Sequence, residues 1–279
     1  MKYTRLTAIV LMALLMGGVG ARAEPLPVTI TPLVRTVDLD VGETQEVELA
    51  DGAKARVKLV NVQETRDRVR NAVREARVTV EVNGTSLTLI SATYHLPVPM
   101  AGVQIDCPIT KGYLARDSHE NAWALKKDAR VRLWPAGSPW VRPGTLTYPV
   151  RQRWLASDTQ MANEPCFVNG DEVPGKGDIY YHYGLDFGGA EGLVEVVAAT
   201  DGLVVSAAGQ ILAEHRDSPA QTRSDVIYIV DGRGWYYRYS HLMTVEVKPG
   251  QRVRMGERIG VLGKEGASGG WSHLHFDIT

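Results

Sequence analysis

The chain has 279 residues, with 31 Lys and Arg against 32 Asp and Glu and a formal net charge of −1. A balance without a basic surplus excludes a general nucleic-acid binder. The length suits one large or two modest domains, at roughly 100–200 residues each.

From the N-terminus, MKYTRLTAIVLMALLMGGVGARA places Lys2 and Arg5 before an apolar run from Leu6 to about Val19, followed by Ala21-Arg22-Ala23. This is the three-part layout of a secretory signal peptide, and the run is short for a membrane span, which needs ~20 residues. The sequence therefore predicts residues 1–23 to be a signal peptide and the product to be exported, without stable membrane insertion. An uncleaved anchor is the alternative. Residues 1–23 hold three cations (Lys2, Arg5, Arg22) and no acids, so beyond them 28 basic residues face 32 acidic ones, a net −4.

The next stretch reads as β-structure. VELADGAKARVKLV alternates apolar residues around Asp51-Gly52, and VTVEVNGTSLTLI sets Val78, Val80 and Val82 against Leu87 and Leu89 across Asn83-Gly84. Period-two alternation about Asp-Gly or Asn-Gly is a hairpin signal. The charged TRDRVRNAVREAR between them fits a short helix, an exposed loop or a strand end. A Pro/Gly-punctuated stretch, WPAGSPWVRPG at 134–144, then predicts a domain boundary near residue 144. Trp134 and Trp140 within it suit a sugar-stacking platform or, as we expect, packing of a linker onto its neighbour.

Two cysteines are present, Cys107 and Cys166. In an exported protein an even pair predicts a disulfide, Cys107–Cys166, with two buried free thiols as the alternative. Neither has a CxxC partner, so neither suggests a cysteine-rich zinc site.

Beyond 145 the pattern is again β: GLVEVVAATDGLVVSA alternates valines about Asp201-Gly202, and DVIYIVDGRGWYYRYSHL turns at 231–234. The expected fold is all-β, an antiparallel β-sandwich or open barrel over 145–279 preceded by a smaller β-rich domain over 24–144.

The seven histidines are His95, His119, His182, His215, His241, His273 and His275. In SHLHFD, His273 and His275 stand at i and i+2, on the same strand face and ~6.5–7 Å apart. One ring can therefore ligate a metal while the other stands beside it. In YHYGLDFGG, His182 and Asp186 would be ~13 Å apart on a straight strand, too far to share a metal. Gly184 between them permits a bend. His182, Asp186 and one histidine of the HLH pair would make three protein ligands, leaving the fourth position of a catalytic zinc site open. His95, His119 and His215 lack ligand-like spacing and are expected on the surface or in loops; His215 lies in a polar insertion, GQILAEHRDSPAQTRSD.

Four segments in order carry a resemblance: His182-Tyr-Gly184-Leu-Asp186, Tyr239-Ser-His241-Leu242, the glycine-spaced Val247 to Gly260, and His273-Leu-His275-Phe-Asp277. Over roughly residues 178–279 the chain resembles the lysostaphin/LytM-type zinc metallopeptidases. The resemblance implies one zinc ion held by His182, Asp186 and His275, with His241 and His273 flanking the water at the metal. It also implies the peptide stems or cross-bridges of bacterial peptidoglycan as substrate, which fits the expected export to a periplasmic or extracellular, wall-associated location. Zinc lowers the pKa of bound water to about 7, and a histidine within reach accepts its proton. A reading of another class stays open, a zinc-bearing but non-hydrolytic wall-binding or regulatory protein, as does general proteolysis of exported proteins.

Three departures stand out. The approach to HLH is GKEGASGGWSHLHF, with Glu265 and Trp271 in place of small residues, which puts the cleft shape in doubt. No FG-x-R stretch precedes HxGxD. Relatives usually run on past the HLH strand, so Thr279 is expected not to be the natural terminus.

Overall fold

The alternation around Asn83-Gly84 folds as read. Val73–Val82 and Thr85–Ile90 form a two-residue hairpin in which Val78 faces Leu89 and Val80 faces Leu87. Asn83 and Gly84 take φ of +50° and +84°, the left-handed turn that matches strand twist. The structure is a computed structural model describing residues 28–68, 71–92, 95–114, 123–152, 159–160, 165–167 and 179–279, with side chains of 159–160, 165–167 and 179–180 left aside. The leader of residues 1–23 and His119 lie outside these residues. Among the described residues no helix is long and apolar enough to cross a membrane.

The first sandwich joins two four-stranded antiparallel sheets. One runs Thr44–Glu48, Lys54–Arg66, Val73–Val82, Thr85–Ile90; the other runs Arg35–Leu39, Ala129–Pro135, Val103–Thr110, Val98–Met100. The charged segment after Thr65 supplies strand ends: Lys54–Arg66 and Val73–Val82 pair out to Arg66 and Val73. Inward residues of both sheets share one core that includes Leu39, Val57, Leu59, Val80, Ile105, Val131 and Leu133.

The expected Cys107–Cys166 disulfide is not formed. Cys107 is a free thiol inside that core, its Sγ 3.7 Å from Ser91 Oγ and 3.5 Å from Ile109 O. Burial pushes the thiol up to about 12, so it behaves as a small apolar residue. Cys166 lies in a separate hairpin, where Pro165–Phe167 pairs with Ile179–Tyr181. Trp134 is buried; its Nε1 donates to Trp140 O at 2.9 Å, and Trp140 Nε1 donates to Gln104 Oε1 at 2.9 Å. Both rings thus tie the 134–144 stretch onto the first sandwich.

The second sandwich stacks an eight-stranded sheet on a four-stranded one. The larger is ordered Thr159–Gln160, Leu185–Gly188, His273–Ile278, Tyr236–Ser240, Ile227–Asp231, Gly202–Ala207, Gln210–Ile211, with Arg252–Val253 also pairing to Gly202–Ala207. The smaller is ordered Leu242–Val245, Arg258–Leu262, Glu195–Val197, Val150–Arg151. Val196, Ile259 and Leu262 meet Phe187, Tyr237, Tyr239, Leu274 and Phe276 in one core.

Asp201-Gly202 does not close a hairpin. Glu195–Val197 belongs to the small sheet and Gly202–Ala207 to the large one, so this corner carries the chain between sheets. Gly202 is needed for close approach, since a Cβ there would lie 2.4 Å from Ile229 Cγ2 and 2.6 Å from Val230 O. His215 also departs from expectation. It is buried in a 3₁₀ turn, Ala213–His215, with Nδ1 2.9 Å from Tyr236 Oη. The apolar residues of the insertion, Ile211, Leu212 and Ala220, pack with Val205, Val226 and Tyr228 and carry that turn inward.

Tyr181 links the two sandwiches. It packs with Ala72, Val73, Ile109 and Tyr113, and its hydroxyl accepts the Val73 N–H at 2.6 Å.

Candidate metal centre

Successive residues of a strand face opposite sides, and His273–Ile278 uses this fully. Leu274 and Phe276 enter the core, leaving His273, His275 and Asp277 on the other face. Antiparallel register sets Asp186 beside His275 on one side and Ser240 beside it on the other. His182 reaches the same place through Gly184, whose φ is +84°. Only glycine fits there: a Cβ would lie 2.5 Å from Phe276 O and 2.7 Å from Asp277 Cβ.

Three donor atoms converge. His182 Nε2 lies 3.0 Å from His275 Nδ1 and 3.2 Å from Asp186 Oδ1, and His275 Nδ1 lies 2.8 Å from Asp186 Oδ1. All three residues are buried. For bonds of 2.0–2.1 Å, neighbouring ligand atoms around a tetrahedral zinc stand about 3.3 Å apart. The triangle is within about half an ångström of that edge, and two imidazoles with one carboxylate are a donor set that zinc accepts. These residues fit a zinc ion. Burial pushes the Asp186 carboxyl up, but the bonds from His182 and His275 outweigh it and hold it well below the carboxylate range.

His241 and His273 stand next to this triangle, their rings 4.7 Å apart, with His273 Nε2 3.5 Å from Asp186 Oδ2. His241 Nδ1 donates to Glu265 O at 2.7 Å, and His273 Nδ1 donates to Trp271 O at 3.0 Å. A carbonyl only accepts, so both rings carry their proton on Nδ1 and present a lone pair at Nε2. Burial, above all, pushes His241 down to about 4 and lowers His273 as well. Trp271 lies against His273 at 3.9 Å and 18°, so the large residue in the approach loop supports this ring.

His241 occupies the corner where the chain leaves the large sheet for the small one, with φ of +69°. A non-glycine residue there costs roughly 1–2 kcal/mol. Asp225 holds it: its Oδ2 accepts the His241 N–H at 3.3 Å and its carbonyl accepts the Leu242 N–H at 3.1 Å. Arg223 grips the same carboxylate through Nε and Nη2, at 3.1 and 2.7 Å. Thus the polar insertion reaches the site through its last residues. Residue order alone gives no role to Arg223, Asp225, Tyr183 or Arg238, and it holds Asp277 only as the end of the HLHFD segment, where it stands two positions from His275 on one strand face.

Residues 180–279 match the model of Peptidase family M23. An uncharacterized metalloprotease of Haemophilus influenzae is 36% identical over 105 residues, 38% of this chain and 20% of that protein. The peptidoglycan DD-endopeptidase ShyC of Vibrio cholerae is 33% identical over 105 residues, 38% of this chain and 22% of that protein. The chain thus covers about a fifth of the length of these curated relatives. Among solved structures, the catalytic domain of lysostaphin from Staphylococcus simulans is 25% identical, covering 44% of this chain and 79% of that one at a TM-score of 0.32.

Proposed function

Residues 180–279 carry a Peptidase family M23 domain, and on that premise we propose that this chain is an exported zinc metalloendopeptidase acting on the peptide stems or cross-bridges of bacterial peptidoglycan. The observation that carries the reading is the buried donor triangle of His182, Asp186 and His275 with two histidine Nε2 lone pairs beside it. The substrate class is supported by the relative named as a peptidoglycan DD-endopeptidase. Export is supported by the leader-like residues 1–23, and the domain division at 144 by the separate cores on either side.

Zinc, when held by His182, Asp186 and His275, supplies Lewis-acid polarisation of the scissile carbonyl and a lowered pKa for water. The chain's own residues do the rest. His241 and His273 are neutral at pH 7 because burial disfavours their charged forms, so either Nε2 can take a proton from the attacking water. The ring that has gained a proton can pass it from Nε2 to the leaving amine, while the other keeps its Nε2 lone pair as an acceptor toward the water. Glu265 O and Trp271 O hold both rings in the tautomer this requires. Asp225, at the His241 corner, and Trp271, against His273, keep them aimed.

A zinc-bearing, non-hydrolytic wall binder would need the triangle but not the two histidines. Incubation of the purified protein with peptidoglycan and with casein, with and without a chelator, separates the readings. New amino termini released from wall material, and lost with the chelator, support the proposal. Zinc and wall binding without release would sink it, and cleavage of casein alone would move the substrate to exported proteins.

A further inference from the structure

Two charged side chains lie largely out of solvent behind the triangle, and the chemistry above uses neither. Arg238 and Asp277 are cross-strand partners on the polar face of the large sheet, their side chains 9% and 11% exposed. Buried charges are costly unless each is well paired, and these two stand 3.7 Å apart, too far for a direct hydrogen bond.

Their other contacts are more telling. Asp277 Oδ2 lies 3.2 Å from His275 Nε2. Arg238 Nη1 donates to Tyr183 Oη at 3.0 Å, its Nε donates to Ser240 Oγ at 2.7 Å, and its guanidinium lies 5.9 Å over the Tyr183 ring. Tyr183 is the residue between His182 and Gly184, and its ring meets His275 edge-on at 5.4 Å. Arg238 therefore touches the chain neighbour of one donor and, through Asp277, the far side of another.

We propose that Asp277 and Arg238 are positioning residues of the metal centre, Asp277 fixing His275 so that Nδ1 faces the cation and Arg238 binding together the two strands that bring the donors. The inference rests on the metal-centre reading above. A neutral imidazole has one N–H and one lone pair. His275 can offer Nδ1 toward His182 and Asp186 only when its proton is on Nε2, and the Asp277 carboxylate is placed to accept that proton's hydrogen bond. A carboxylate in this position also raises the basicity of the ligating nitrogen. Without Asp277 the N–H is buried without that acceptor, and the tautomer that places the proton on Nδ1 is no longer disfavoured.

The test is zinc affinity, measured on the whole chain without residues 1–23 by competition with a chromophoric chelator, alongside the thermal midpoint of the metal-free protein. Asp277→Ala is expected to loosen zinc by about 10–100-fold, the usual cost of removing such an outer partner. Asp277→Asn keeps an acceptor oxygen and should recover part of that loss. Arg238→Lys keeps the charge but not the fork that reaches Tyr183 and Ser240, and should loosen zinc by roughly tenfold. If Asp277→Ala does not fold, the Asn and Lys variants carry the comparison. Wild-type zinc affinity in all soluble variants, or Asn binding no tighter than Ala, overturns the inference and leaves the metal centre standing. A wild-type protein that takes up no zinc overturns both.

Discussion

The sandwich over residues 35–135 and the one over residues 150–278 share alternating strands, glycine turns and an apolar core, yet they bury different things beside that core. In the first, the buried polar groups are few and closed on themselves. Asp106 is gripped by both arms of Arg132, at 2.9 and 2.5 Å, and Gln104 Nε2 donates to Pro135 O and Ser138 O. In the second, His182, Asp186, His241, His273 and His275 are all buried at one end of one sheet face. The same sandwich also holds a closed cluster, where Asp231 accepts from Arg233 Nε at 2.6 Å and from Tyr237 Oη at 2.9 Å. A closed set of donors and acceptors explains itself as architecture. A set whose donor atoms converge on one point has the arrangement that could hold a cation.

The sharpest way to break this contrast is at the histidines beside the triangle. His241→Ala should lower turnover of wall peptide by about 10²–10⁴-fold, the range for losing one acid–base group. Zinc content should stay at the wild-type level. Loss of zinc in this variant would mean that His241 is a ligand and the donor set is misassigned.

Next in size is the backbone that builds the triangle. Gly184→Ala faces a left-handed φ, about 1–2 kcal/mol, plus overlap with Phe276 O and Asp277 Cβ. At 2–4 °C per kcal/mol, the thermal midpoint should fall by about 4 °C or more, with weaker zinc binding. By contrast Gly52→Ala, in a turn of the first sandwich with no atom within 4 Å of its Cβ, carries only the backbone cost and should leave zinc untouched.

Acid should separate the two halves as well. Burial lowers His215, His241 and His273, so in each the unfolded chain binds its proton first. Stability from these groups is present above histidine's ordinary 6.5 and is lost as pH falls below it, by at most about 1.4 kcal/mol per pH unit for each. His275 works the other way: burial alone would lower it, but Asp186 and Asp277 together raise it. The second sandwich should therefore loosen before the first between pH 6.5 and about 4, read by hydrogen exchange of metal-free protein. His215→Gln should flatten that dependence without touching the metal centre. Equal acid sensitivity of both halves would contradict the assignment.

The smallest expected effect is none. With Cys107 a free thiol, Cys166→Ser and added reductant should each leave stability within about 0.5 kcal/mol. A drop of 2–4 kcal/mol would reveal a disulfide.

Much of this was legible in the residue order because strands write their faces in period two. The Val78/Leu89 pairing, the shared face of His273 and His275, and the bend at Gly184 all follow from local geometry. What stayed hidden depends on partners far apart in the chain. Asp201-Gly202 looks like a hairpin turn until Glu195–Val197 finds its partner in Arg258–Leu262 rather than in Gly202–Ala207. His215 looks solvated until Ile211 and Leu212 are seen to pack inward. The hold of Asp225 on His241 acts through backbone amides, which have no residue signature. Cysteine count alone could not show that Cys107 faces one core while Cys166 lies in a separate hairpin.

The most direct test is zinc stoichiometry by equilibrium dialysis and metal analysis of the chain without residues 1–23, compared with His182→Ala and Asp186→Ala. One zinc per chain is predicted for the wild type, with affinity in each variant weakened beyond the 10–100-fold expected of an outer partner. No zinc in the wild type, or zinc retained at full affinity in both variants, would contradict the account.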